Sequence, residues 1–248
     1  MYKFVKRLLD ITFSGLGIIA LMPVFFVLCI LILLFIGAPV TFKQYRPGRK
    51  GKLFAFVKFR TMKNTREKDG ALLPDRERVT KFGTFMRKTS LDELPQLFLI
   101  FVGKMSFVGP RPRMLEEVVF LNDDQLKRQQ IKPGITGLAQ INGRNNINFD
   151  QVVEFDKNYI EKMSLWLDAK IFFKTIKKVF DKEGINKTGT VSNEFYGDYL
   201  LRTEQISTLE YTEKIKMAHQ ILSKYEKVHA PTIIRVEEEL EDLNEKFQ

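Results

Sequence analysis

Apolar residues run almost without interruption from Ile11 to Phe42, and no charged residue falls in that stretch. The run is roughly 30 positions long, more than the ~20 a straight membrane-spanning helix needs and too few for two spans and a turn. Pro23 stands near its middle. Inside a helix a proline removes one N–H and clashes with the preceding turn, so the pattern predicts a break there. Each half is then about a dozen residues, or ~18 Å. Lys3, Lys6 and Arg7 precede the run, and Lys43, Arg46, Arg49, Lys50 and Lys52 follow it. Lysine and arginine beside a membrane segment mark the cytoplasmic side. Both flanks carry that mark, which favours a re-entrant helix-break-helix dipping into the cytoplasmic leaflet. A single tilted helix kinked at Pro23 is the competing arrangement. A cleaved signal peptide fits poorly, because its apolar core is only ~7–15 residues.

Beyond a turn at Arg46-Pro47-Gly48, the alternation in Leu53–Met62 predicts a strand near Phe56–Arg60. Thr65–Arg78 is polar, carries Gly70 and Pro74, and reads as loop. Thr80–Arg87 predicts a short helix, Leu94–Val102 a helix apolar on nearly every face, and Met114–Gln130 one amphipathic helix. Lys132–Asn148, rich in Gly and Asn, reads as mostly loop. Leu165–Phe180 combines Trp166, Phe172 and Phe173 with Lys170, Lys174, Lys177 and Lys178. That composition suits a helix lying in the headgroup plane, or one packing an apolar stripe on a core. From Leu201 the pattern predicts one helix to about Val228, a break at Pro231 and an acidic helix from Val236. The expected class is α+β and mostly helical. It has a membrane segment over 1–42, a small cytoplasmic domain with interfacial amphipathic helices over 43–200, and a helical extension over 201–248.

Charge narrows the partners. The formal net charge of +10 implies attraction to anionic lipid, nucleic acid or phosphorylated substrates. Beside a membrane segment, lipid headgroups come first. No RNP-like aromatic strand, zinc-finger spacing or recognition helix is present, so nucleic acid is set aside. Cys29 is the single cysteine, which excludes a disulfide within the chain. His219 and His229 both lie in the tail, so the core holds neither a His/Cys metal cluster nor a Ser-His-Asp constellation.

The chemistry concentrates in Ser90–Pro112, where Asp92 and Glu93 adjoin an apolar run closed by Gly109-Pro110-Arg111-Pro112. Ser90-Leu91-Asp92-Glu93 also matches a capping box, which alone would account for acids at a helix start. Pro95 suits the first position of a helix beginning slightly later. Lys58 and Arg60 share one face of the expected strand. Arg87, Arg111, Arg113 and Arg144 add guanidinium forks that suit phosphate oxygens. The turns at Lys132–Gly137 and Asn142–Asn145 could present N–H groups to an anion.

The segments KFRTM, SLDELPQL, MSFVGPRP and KPGITGLAQINGRN follow the basic N-terminus and broken apolar run in that order. Over about residues 1–195 the chain resembles the bacterial sugar transferases, small monotopic phosphoglycosyl transferases. The resemblance implies transfer of a sugar-1-phosphate from a UDP-sugar to polyprenyl (undecaprenyl) phosphate, with UMP released. This reaction begins capsule, exopolysaccharide or other glycoconjugate assembly at the cytoplasmic face of the bacterial inner membrane. It implies Asp92 as nucleophile and Glu93 as its partner, either positioning Asp92 or helping to deprotonate the acceptor. Mg2+ is the implied ion, with Asp92 as a ligand. The implied sugar is an amino sugar, with galactose and glucose open. The family's Ser-Pro at the membrane break is Met22-Pro23 here. The tail lies outside the catalytic core, where a homodimer contact or docking of a pathway glycosyltransferase would be its role. The rival class is a non-catalytic basic scaffold at the membrane surface, in which Asp92 and Glu93 only cap a helix.

Overall fold

A computed structural model describes residues 1–67, 72–143, 147–180 and 195–227. The fold is α+β and mostly helical. In chain order the elements are α1 (Tyr2–Phe35), β1 (Thr41–Pro47), β2 (Leu53–Phe59), α2 (Asp75–Arg78), α3 (Lys81–Lys88), α4 (Gln96–Phe101) and β3 (Ser106–Val108). There follow α5 (Leu115–Val118), α6 (Asp123–Leu126), β4 (Gly134–Thr136), α7 (Leu138–Asn142), α8 (Phe149–Glu161), α9 (Leu165–Phe180), α10 (Tyr196–Arg202) and α11 (Thr208–Lys227). β1 and β2 form an antiparallel hairpin with Phe42 opposite Lys58, and β3 pairs with β4 in parallel.

The break expected at Pro23 does not interrupt α1, whose 34 residues run through it for about 51 Å. The missing N–H costs the helix one bond, to the carbonyl of Ile19, and flanking turns can absorb that loss in apolar surroundings. α1 is long and apolar enough to cross a membrane. It is nevertheless attached to the rest of the protein along its length. Near the start, Asp168 accepts from the Tyr2 hydroxyl at 2.8 Å and from Lys6 Nζ at 2.7 Å. Asp10, buried, accepts from the Ser106 hydroxyl and the Phe107 N–H, each at 3.1 Å. Midway, Phe25 packs against Phe59 and Phe98. At the far end, Phe35 meets Phe82. The opposite face of α1 bares Phe4, Leu8, Phe13, Leu16, Ile19 and Phe26.

α9 forms over the expected residues and packs on the core. Ile171 is fully buried with Val108, Ile141 and Tyr159, while Trp166 is 80% exposed and Phe173 68%. The helix thus packs one stripe on the core and leaves an aromatic stripe outside.

The single helix expected over Met114–Gln130 is instead α5, α6 and a 3-10 turn. Asn122 caps α6 reciprocally with Gln125, which ends one helix and starts another. The tail likewise divides. Glu204 has φ +57 and the Ser207 hydroxyl accepts from the Glu210 N–H, so α10 stops and α11 begins afresh. Lys132–Asn148 holds β4 and α7, and β1, β3 and α8 were not expected. The break expected at Pro231 and the acidic helix expected from Val236 lie outside the described residues. α10 and α11 cover Leu115, Val118, Phe120 and Leu121 with Tyr196, Leu200, Ala218 and Ile221.

α3 is legible and matters for the site. Thr80 caps it, accepting from the Gly83 N–H at 2.8 Å. Gly83 lies so close to β2's end that a Cβ there would stand 1.8 Å from the Thr61 carbonyl oxygen. Gly83→Ala should therefore push α3 off the hairpin and destabilise the protein by about 1–3 kcal/mol or more, seen as a lowered Tm in detergent.

Candidate active site

Lys58 lies on β2, and its ammonium stands 3.1 Å from Glu93 Oε1 but 3.9 Å from Asp92 Oδ2. It is thus bonded to Glu93 and only faces Asp92. Arg111 closes on the same Glu93 oxygen, with NH2 at 3.0 Å. The Arg111 side chain stays 41% exposed, so the fork retains donors for an incoming anion. Asp92 is 7% exposed. Arg87, on α3, is fixed by its Nε donating to the Thr61 hydroxyl at 2.9 Å, and its charge acts on Asp92.

The dyad sits in one 3-10 turn, Leu91–Glu93. Ser90 before it is left-handed, φ +56 and ψ +18, and its side chain makes no cap bond. The expected capping box is therefore absent: Glu93 is drawn across to Lys58 and Arg111 instead of back to the Ser90 N–H, which donates to the Arg87 carbonyl. Pro95 immediately precedes α4 in a helical conformation.

The two carboxyls are driven apart electrically. Burial alone would raise Glu93, but the charges of Arg111 and Lys58 outweigh it and hold the group at about 2. Asp92 is pushed above the usual aspartate value, mainly by burial and further by the Glu93 charge, against the pull of Lys58 and Arg87. Lys58 is lowered by burial. Glu93 is consequently a fixed anion with its neutralising partners attached. Among the described residues no cation lies within hydrogen-bond distance of Asp92, whose ion pair with Lys58 is 3.9 Å long, which suits a nucleophile or a ligand.

The other predicted positions separate. Arg60 turns away from the dyad and donates to the Ala38 carbonyl at 3.1 Å. Arg113 pairs with Glu117 at 2.8 Å and lies over the Phe149 ring. Arg144 is outside the described residues. Pro23 lies within α1, whose Phe25 packs on Phe59, the residue after Lys58. Among the described residues no group of three or more His, Cys, Asp or Glu side chains converges on a metal position. A Mg2+ ion usually takes only one or two carboxylates and fills its shell with water and substrate phosphate, so Asp92 beside a diphosphate fits it.

Sequence reasoning missed Asp168, Asp156 and Arg128. Asp168 also accepts from the Tyr159 hydroxyl at 2.6 Å, which joins the start of α1 to α8 and α9. The available signal was a lone acid on an otherwise apolar helical face, as Asp156 is beside Val152, Val153 and Tyr159.

A buried carboxylate facing cations, next to a carboxylate already neutralised, is an arrangement suited to phosphoryl transfer. The family model for bacterial sugar transferases matches residues 1–182. The chain is 45% identical over 190 residues to the uncharacterized sugar transferase EpsL of Bacillus subtilis, covering 76% of this chain and 94% of that one. It is 40% identical over 200 residues to the undecaprenyl-phosphate galactose phosphotransferase of Salmonella typhimurium. It is 42% identical over 193 residues to the UDP-glucose:undecaprenyl-phosphate glucose-1-phosphate transferase of Klebsiella pneumoniae. These two matches cover 73% and 74% of this chain but 42% and 41% of the relatives. The chain belongs to the bacterial sugar transferase family.

The pairing of Glu93 sets a stability test. A carboxyl held at about 2 stabilises the fold above its unfolded value of 4.5, and that contribution is lost as pH falls from 4.5 through about 2. The gap is worth about 3 kcal/mol. Glu93→Gln should lower Tm at neutral pH, and its deficit against the parent should shrink steadily between pH 5 and 2.

Proposed function

We propose that this protein transfers a sugar-1-phosphate from a UDP-sugar to undecaprenyl phosphate through a phosphosugar ester on Asp92. The observation that carries this reading is the division of charge within the dyad. Glu93 is bound at hydrogen-bond distance by Lys58 and Arg111, whereas Asp92 is buried, raised, and held only by a 3.9 Å ion pair to Lys58. An Asp92 oxygen attacks the sugar-bearing phosphorus, a phosphorus–oxygen bond to the second phosphate breaks, and UMP departs with that oxygen. A phosphate oxygen of the acceptor lipid then attacks the same phosphorus and frees Asp92. Lys58, Arg87 and Arg111 neutralise phosphoryl oxygens throughout. With its value near 2, Glu93 is a poor proton acceptor, which favours positioning over base catalysis. The acceptor needs no strong base, because a phosphate monoester is largely dianionic at pH 7. Mg2+, held by Asp92 and the diphosphate, would supply further neutralisation when bound.

The membrane arrangement supports the same reading. Both ends of α1 are docked to one domain, Tyr2 and Lys6 through Asp168 and Phe35 through Phe82. A helix that crossed the bilayer would leave one end on the far side. The bare face of α1 lies in the cytoplasmic leaflet in this proposal, with Trp166 and Phe173 at the headgroups. The dyad then stands where a soluble nucleotide and a lipid phosphate both reach it.

Purified enzyme in detergent, given UDP-galactose, UDP-glucose and UDP-N-acetylamino sugars, should release UMP from at least one donor without lipid acceptor. Radiolabelled donor should leave sugar phosphate on Asp92. Asp92→Asn should lose at least about 10³-fold in UMP release. Full turnover by Asp92→Asn, or no label on an enzyme that turns over, overturns the assignment. In the parent, the rate should fall as pH drops through a midpoint above 3.8, since only ionised Asp92 attacks.

A further inference from the structure

Arg111 reaches Glu93 from a loop with few ways of being held. Pro110 and Pro112 carry no N–H, and Arg111, preceding a proline, is confined to extended conformations. The handles left are chiefly carbonyl oxygens. Each of three consecutive carbonyls is taken by a donor from a different part of the fold. The Gly134 N–H of β4 donates to Pro110 at 2.9 Å. Arg128 NH2 donates to Arg111 at 3.0 Å. Arg46 NH1, on β1, donates to Pro112 at 2.7 Å.

Arg128 is the unusual member. It is 4% exposed and pairs with Asp156 of α8, itself 1% exposed, through Nε at 2.9 Å and NH2 at 2.7 Å. A buried ion pair is weak evidence of stabilisation, because an apolar pair of similar volume often serves as well. An apolar pair cannot donate to the Arg111 carbonyl.

We infer that Arg128, oriented by Asp156, is a positioning residue for the transfer: it fixes the backbone of Arg111 so that the guanidinium meets Glu93 and the donor's phosphates. The inference rests on the function proposed above. Its mechanism is a relay of fixed contacts, from Asp156 to Arg128, from Arg128 to the Arg111 carbonyl, and from the Arg111 fork to Glu93. Arg46 serves the neighbouring carbonyl independently and is itself braced by Gln44 and by the Phe56 ring at 4.4 Å.

A double-mutant cycle on UMP release tests the relay. Arg128→Lys keeps a cation beside Asp156 but removes the planar fork that serves both partners. It should lower UMP release by about 10-fold or more. Arg111→Ala should lower it as well. In the Arg111→Ala background, Arg128→Lys should add little, because the guanidinium it positions is gone. An equal fold-loss from Arg128→Lys in both backgrounds overturns the inference, as does full activity of Arg128→Lys. Tm is recorded for each protein; where Arg128→Lys fails to fold, Asp156→Asn, close in shape, takes its place in the cycle. A parent enzyme that releases no UMP from any donor instead defeats the proposed function, whereas an additive cycle in an active parent defeats only the relay.

Discussion

One oxygen of Glu93 accepts both the Lys58 ammonium and an Arg111 nitrogen, and the site depends on that shared atom. Two adjacent carboxyls in a poorly hydrated turn would ordinarily compete for the same cations. Here the competition is resolved by geometry: β2 and the Gly-Pro-Arg-Pro loop aim their charges at Glu93 and leave Asp92 facing Lys58 at a greater distance. Glu93 acquires a permanent charge and its neighbour keeps its reactivity. The left-handed Ser90 makes this feasible, because it turns the chain so that consecutive acids diverge instead of lining the start of a helix.

The elements around this turn explain why the hairpin, α3 and α4 are packed so closely. Gly83 lets α3 approach the end of β2 at backbone distance, which brings Arg87 to Thr61. α4 runs on from the dyad, and Phe98, Phe101 and Val102 are exposed along it and just past its end. Arg7 donates to the Ile100 and Phe101 carbonyls at the far end of α4, so α1 and the turn bearing Asp92 are joined through one short helix. Placement of α1 and placement of the carboxyl are thereby mechanically linked.

Much of this was legible from side-chain pattern. The apolar run, the short helix over Thr80–Arg87, the strand around Phe56 and the amphipathic Leu165–Phe180 each declare themselves locally. What escaped depends on distant partners. The capping-box pattern at Ser90 was overridden by charges arriving from Lys58 and Arg111, which lie 35 and 18 residues from Glu93 in the chain. The long helices expected over Met114–Gln130 and after Leu201 were divided by reciprocal capping at Asn122 and by the left-handed Glu204, which outweighed amphipathic periodicity. Arg128 and Asp156 are interpretable only once α8 is placed against the loop. Arg60 looked equivalent to Lys58 by alternation, but β2 ends at Phe59, and beyond the strand the alternation no longer governs direction.

α10 and α11 lie beyond the stretch the family shares, yet the Tyr225 hydroxyl donates to the carbonyl of Leu53, the first residue of the strand that carries Lys58. Tyr196 stacks on Phe149 with ring centres 3.7 Å apart. The stretch shared with the family and the packed body therefore have different edges. A chimera joined at the end of the homologous region would inherit its neighbour's tail as part of its own interior, and the seam would run through packed aromatic rings.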